Sequence, residues 1–138
     1  MGNNNKGGNV QLFFKENRAP RENEFFAATR LFKDENGVPI KWELKPLSSK
    51  KLEDIKWTNM ENGGLNEKQY QKDLIIASVI FPPLRNKDLQ DSYGVKSAED
   101  LLFELLTGNE FTDLSLKVMS MNGLVDDIDE LINEAKNS

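Results

Sequence analysis

The strongest constraint on this fold is a dense apolar stretch at residues 74–81, which is followed at once by Pro82-Pro83. Periodicity alone does not distinguish a buried helix from a buried strand in so short an apolar run. The preceding residues favour a helix, because Asn66 is a suitable N-cap. Helical spacing also connects Tyr70, Leu74, Ala77, Ser78 and Phe81. We therefore predict a helix that is buried on all sides, ends at the prolines and forms the hub against which both halves of the chain pack.

Length and composition are typical of a single globular domain. The 138 residues are enough for one hydrophobic core, and 38% hydrophobic with 30% charged residues predicts a soluble surface. No apolar run approaches the roughly 20 residues that a membrane-spanning helix needs. The N-terminus lacks a basic segment followed by an apolar one, so we expect no secretion signal and no membrane association.

The sequence contains neither histidine nor cysteine. These absences exclude disulfides, thiolate zinc sites and histidine-containing catalytic triads. The Asp-Glu-Asn-Gly order at residues 34–37 lacks the later acidic ligand of a calcium loop, so a turn is the better interpretation. We therefore predict no catalytic residue, no cofactor, no metal site and no enzymatic activity. A carboxylate-based enzyme is the rival class, and it would require a deep pocket that gathers two acids.

Charge is distributed unevenly along the chain. Residues 1–60 carry 11 basic and 8 acidic side chains, whereas residues 61–138 carry 7 basic and 15 acidic ones. Such a polarised chain can self-associate head to tail or present an acidic face to a basic partner, although a solvated acidic surface is the simpler interpretation. No basic stripe exceeds Lys50-Lys51, so the sequence disfavours nucleic-acid binding.

The first part of the chain predicts a flexible segment and then a β-hairpin. Residues 1–23 are rich in Asn and Gly near their start and form the predicted flexible segment, with an apolar patch at 11–15 that either docks on the domain or reaches a neighbouring subunit. In the hairpin, residues 25–32 form one strand and residues 34–37 the turn. In the return strand, alternation places Ile40, Trp42 and Leu44 on the buried face.

The second part of the chain predicts helices. The fold class is therefore α+β, with an N-terminal β-hairpin followed by a bundle of about five α-helices in a single domain at residues 24–138. Ser97 caps one of these helices. The last helix carries the apolar residues Val125, Ile128, Leu131, Ile132 and Ala135, with Asp126, Glu130 and Glu134 on a solvated acidic face.

Several stretches, in order, resemble one known family. Residues 32–48 (FKDENGVPIKWELKPLS) are similar to the N-terminal hairpin motif of the XkdN-like tail assembly chaperones of tailed phages and PBSX-type prophages. Pro83-Leu84 and residues 88–95 resemble the central motif of that family. The resemblance continues through the stretches at 97–102, 105–106, 108–111, 122–123 and 134–137.

This resemblance implies a protein of phage tail morphogenesis. Members are expected to bind the tape measure protein and to keep it soluble while tail tube subunits polymerise around it. The tail tube protein is a second possible partner. They are expected in the host bacterial cytoplasm and not in the mature virion. The resemblance does not decide whether the protein forms a homo-oligomer or whether a longer frameshift product exists. The alternative function is that of a structural tail or baseplate adaptor.

Such a chaperone needs apolar grooves between helices and no catalytic groups. The apolar residues of the family-like second half are the candidate walls of that groove. We therefore predict partner contacts at Leu84, Leu89, Tyr93, Leu102, Leu106 and Phe111.

Overall fold

The structure of this protein is a computed structural model that describes residues 8–124. The predicted last helix lies outside the described residues, as do residues 1–7 of the Asn/Gly-rich segment. The described chain begins with two short 3-10 helices, Val10–Phe13 and Lys15–Asn17, on which every residue is exposed. The apolar patch at 11–15 therefore does not dock on the domain.

Five α-helices and five short strands follow, in agreement with the predicted α+β class. The helices are α1 (Ser49–Thr58), α2 (Glu67–Ser78), α3 (Lys87–Ser92), α4 (Ala98–Leu105) and α5 (Gly108–Met121). The strands are β1 (Glu24–Phe26), β2 (Trp42–Leu44), β3 (Met60–Glu61), β4 (Gly64–Leu65) and β5 (Val79–Phe81). β3 and β4 form a small hairpin between α1 and α2.

The main sheet has the order β1-β2-β5 with both neighbouring pairs antiparallel. The predicted pairing of β1 with β2 is confirmed, and the backbone at Asp34 and Gly37 closes the predicted turn, with Gly37 at φ +78°. The first strand is much shorter than predicted, since it ends at Phe26 and not at residue 32. Beyond β1 the chain approaches α5, where the Arg30 N–H donates to Glu110 at 3.2 Å.

The predicted central helix is correct over α2 and wrong over its last three residues. Leu74 and Ile75 are 1% and 0% exposed, as expected for a hub. The helix ends at Ser78 because that residue bonds to Lys45 beyond β2. The Ser78 Oγ donates to the Lys45 carbonyl at 2.7 Å, and the Lys45 N–H donates to the Ser78 carbonyl at 2.8 Å. The following residues therefore pair with β2 as β5, and Phe81 is 50% exposed, not buried.

The core is one contiguous cluster that joins the sheet to the helices. α2 lies at its centre and packs against α1, α4 and α5. The largest fully buried apolar side chains come from β2, α2, α4 and α5: Leu44, Leu74, Ile75, Leu101, Leu102, Leu114 and Val118. These residues lie far apart in the sequence, so the domain buries its apolar surface only when all these elements assemble.

Side-chain caps begin several of the helices, and the predicted caps Asn66 and Ser97 are confirmed. Ser48, Asn66 and Ser97 each accept a hydrogen bond from a backbone N–H of the first helical turn, at 3.0 to 3.2 Å. At the start of α5, Thr107 and Glu110 form a capping box. These bonds satisfy N–H groups that have no partner inside the helix, so the local sequence determines where each helix starts.

Candidate partner-binding groove

An open apolar groove lies between the main sheet and helices α3 and α4. It encloses about 170 Å³. Its lining side chains are aliphatic or aromatic: Phe32, Ile40, Trp42, Phe81, Pro82, Leu89, Tyr93 and Leu105. Such a surface binds apolar side chains by excluding water from both partners.

The sheet side of the groove follows from strand alternation. Ile40 lies two residues before Trp42, and both side chains line the groove. The predicted burial is correct for Trp42 and wrong for Ile40, which precedes β2. Trp42 is 3% exposed and forms the floor, whereas Ile40 is 40% exposed and forms part of the wall. The Ile40 N–H donates to the Phe32 carbonyl at 3.0 Å. This bond joins the two sides of the long loop between β1 and β2.

The helical side of the groove is positioned by a capped short helix. Asn86 accepts from the Leu89 N–H at 2.8 Å and begins α3. Leu89 and Tyr93 are four residues apart and therefore lie on one face. The Gln90 side chain donates to the Leu84 carbonyl at 2.8 Å and ties α3 to the loop after β5.

The structure places the six residues predicted for partner contact in three environments. Leu89 and Tyr93 line the groove. Leu84, Leu102 and Leu106 are buried in the core, at 3%, 0% and 8% exposure. Phe111 is partly buried and stacks on Phe103 with ring centroids 5.5 Å apart. The six residues therefore do not form one surface.

The sequence did not predict six of the groove residues as contact residues: Phe32, Ile40, Trp42, Phe81, Pro82 and Leu105. The alternation of the return strand could have identified Ile40, because it places this residue beside Trp42 at the strand entrance. Phe81 was assigned to a fully buried helix, and nothing local to it indicates that it follows the sheet instead.

Between residues 8 and 124, no group of three or more acidic side chains is arranged to hold a metal ion. The pKa of Glu110 is lowered from its usual value, chiefly by the hydrogen bond from the Thr107 backbone. This carboxylate serves the capping box of α5 and lies outside the groove lining.

None of the helices within residues 8–124 is both long and apolar enough to cross a membrane.

This α+β domain therefore carries an apolar groove that the side chains of a partner can cover. Comparison with known protein families identifies the family to which this chain belongs. The model of the phage XkdN-like tail assembly chaperone proteins matches residues 10–136, so the chain belongs to this family. The resemblance found in the sequence motifs is thereby confirmed.

Individual relatives come from Bacillus subtilis strain 168. The chain is 27% identical to the phage-like element PBSX protein XkdN over 119 residues, covering 79% of this chain and 80% of the relative. It is 19% identical to the YqbN protein over the same shares of both chains. The crystal structure of YqbN matches with a TM-score of 0.74 at 15% identity, covering 84% of this chain and 97% of the other, which shows a shared fold.

Proposed function

We propose that this protein is a tail assembly chaperone that binds the phage tape measure protein non-covalently and keeps it soluble while the tail tube assembles. The observation that carries this proposal is the apolar groove over Trp42, together with membership of the chaperone family. Half-exposed Ile40 and Phe81 in its walls leave an apolar surface that a client side chain can cover.

The size of the groove indicates what it holds. A volume of about 170 Å³ accommodates one or two large apolar side chains and not a whole helix. A client helix that presents apolar residues at i and i+3 or i+4 would therefore insert its anchors here while the rest of its surface lies on the rim. Binding of this kind needs no covalent step, which fits a proposed role without enzymatic activity.

Co-expression with the tape measure protein of the same phage is the direct test. We expect the chaperone to raise the soluble fraction of the client and to co-purify with it. Replacing Phe81→Ser removes a groove wall and is expected to lower the co-purified amount by about tenfold, the effect of roughly 1.4 kcal/mol in binding.

Phe25→Ser is the matched control. Phe25 and Phe81 both pair with Glu43 in the sheet register, and Phe25 is 60% exposed but does not line the groove. The proposal would be contradicted if both variants lost the same amount of co-purified tape measure protein. It would also be contradicted if the unchanged protein did not raise the solubility of the tape measure protein. Unchanged thermal midpoints establish that both variants are folded.

The proposed role also predicts where the protein is found. We expect it in the host bacterial cytoplasm during assembly and not in mature particles. Mass spectrometry of purified virions distinguishes this from a tail or baseplate adaptor, which would be present there in stoichiometric amounts.

A further inference from the structure

A second cleft, outside the apolar groove, has basic walls and an apolar floor. It encloses about 490 Å³ between the start of α1 and the junction of α2 with β5. Lys45, Lys51 and Arg85 provide its cations. Its floor is made by Ile76, Ala77, Val79 and Ile80, the last of which is 40% exposed. β5 is also an edge of the sheet, and an uncovered sheet edge favours association with another segment.

The three cations of this cleft have no acidic partner among the residues that the structure describes. The four ion pairs of residues 8–124 use other lysines, at positions 50, 72, 87 and 117. Two acids lie in the adjoining cleft beside Lys51 and Arg85, but both have other partners. Asp54 pairs with Lys50 at 3.6 Å, and Asp73 accepts hydrogen bonds from Asn59 and Gln69. The basic charge of the cleft is therefore available to an acidic segment.

The described chain ends beside this cleft. α5 stops in a Schellman motif, with Gly123 at φ +72° and the Leu124 N–H donating to the Met119 carbonyl at 2.9 Å. The Asn122 Oδ1 accepts from the N–H of Leu47 at 2.7 Å, and Leu47 is part of the cleft lining. The next residues of the chain therefore begin close to one end of the cleft.

Those next residues have the complementary composition. Residues 125–138 carry five carboxylates and one lysine, and the sequence predicts for them an amphipathic pattern with apolar residues at 125, 128, 131, 132 and 135. A segment of this kind can place apolar side chains on the floor and carboxylates near the cations.

We propose that residues 125–138 bind in this basic cleft of their own chain, where they neutralise Lys45, Lys51 and Arg85 and cover the edge of β5. Because the segment begins three residues after Asn122, it has a high local concentration at its own cleft, which favours that cleft over the cleft of a second copy. The cleft would then be closed to other acidic segments and the apolar groove would stay open. This inference is independent of the client that the groove binds.

Site-directed cross-linking in the full chain tests the proposal. The chain has no cysteine, so a pair of introduced cysteines reacts without competition. Asn133→Cys is combined with Ile80→Cys on the cleft floor or, as the control, with Met60→Cys, which is 36% exposed and outside the cleft. With a short bis-maleimide we expect about tenfold more intramolecular product from the Ile80 pair, reflecting its higher effective concentration.

Charge reversal provides the second measurement. Adding Lys45→Glu and Arg85→Glu to the Ile80 pair should lower the intramolecular yield severalfold, because the acidic segment is then repelled. Equal yields from the Ile80 and Met60 pairs would overturn the proposal, and so would a yield that charge reversal leaves unchanged. A cross-linked dimer as the main product would assign the cleft to a second copy instead, and would overturn it too.

Discussion

At the scale of single residues, Trp42 serves both the core and the groove. Its side chain is 3% exposed and lies between the buried cluster and the groove walls. Truncation would remove a large buried aromatic ring and leave a cavity beneath the proposed binding surface. The same residue therefore connects stability with partner binding.

We expect Trp42→Ala to lower the free energy of unfolding by about 3–5 kcal/mol, the usual cost of truncating a buried aromatic side chain. Urea unfolding followed by far-UV circular dichroism measures this change. Trp57→Ala is the control, because Trp57 is 65% exposed and its loss should cost less than about 0.5 kcal/mol. Equal losses in the two variants would contradict the assigned burial.

Asn122 is a second single residue with a large structural effect. Its amide joins the end of α5 to the segment after β2: the Oδ1 accepts from the Leu47 N–H, and the Nδ2 donates to the Val118 carbonyl at 2.8 Å. Asn122→Ala leaves the buried Leu47 N–H without this acceptor, so we expect a loss of about 1–3 kcal/mol in stability.

Thermal and urea unfolding would measure the Asn122 effect. Asn109→Ala on the exposed first turn of α5 is the matched control and should change stability little. A near-neutral result for Asn122→Ala would mean that water replaces the lost acceptor.

At the scale of elements, α5 begins at a capping box that also holds the loop after β1. The Glu110 carboxylate accepts from the Thr107 N–H at 3.0 Å and from the Arg30 N–H at 3.2 Å. These bonds stabilise the charged form, and the backbone bond from Thr107 is the main cause of the lowered pKa of Glu110. Since the folded-state pKa lies below the usual 4.5, the stabilisation is present above pH 4.5 and is lost as the pH falls through the folded-state pKa.

Glu110→Gln is expected to remove this pH-dependent contribution while keeping the shape of the side chain. The stability difference between the unchanged protein and the variant should be largest near neutral pH and should shrink below pH 4.5. Urea midpoints of both proteins, measured from pH 7 to pH 3, test this. If the stability of the unchanged protein relative to the variant instead rose on acidification, the Glu110 carboxylate would be destabilising in the folded state.

At the scale of the whole molecule, β2, α2, α4 and α5 share one core, so we expect them to unfold together. In a Trp57→Phe background, tryptophan fluorescence reports on Trp42 alone and circular dichroism reports on the helices. The two urea transitions should coincide in midpoint and slope. An earlier fluorescence transition would show that the sheet and groove open before the helical core, and would divide the domain into two cooperative units.

Much of this fold could be predicted from local sequence. Ser48, Asn66 and Ser97 mark helix starts, Gly37 marks a turn that needs positive φ, and the spacing of apolar residues identifies α2, α4 and α5. Each of these signals acts within a few residues, so a single sequence contains it in full. The ordered motifs likewise identified the family.

The end of α2, the length of β1 and the position of the groove were decided only in the tertiary structure. α2 ends at Ser78, which bonds to Lys45, 33 residues away. Four residues after the end of β1, the Arg30 N–H donates to Glu110, 80 residues away. An apolar run does not indicate which distant segment of the chain will form hydrogen bonds with its backbone. For that reason the sequence correctly identified residues 74–81 as the centre of the fold, while the tertiary structure alone turned their end into an edge strand and exposed Phe81 in the groove.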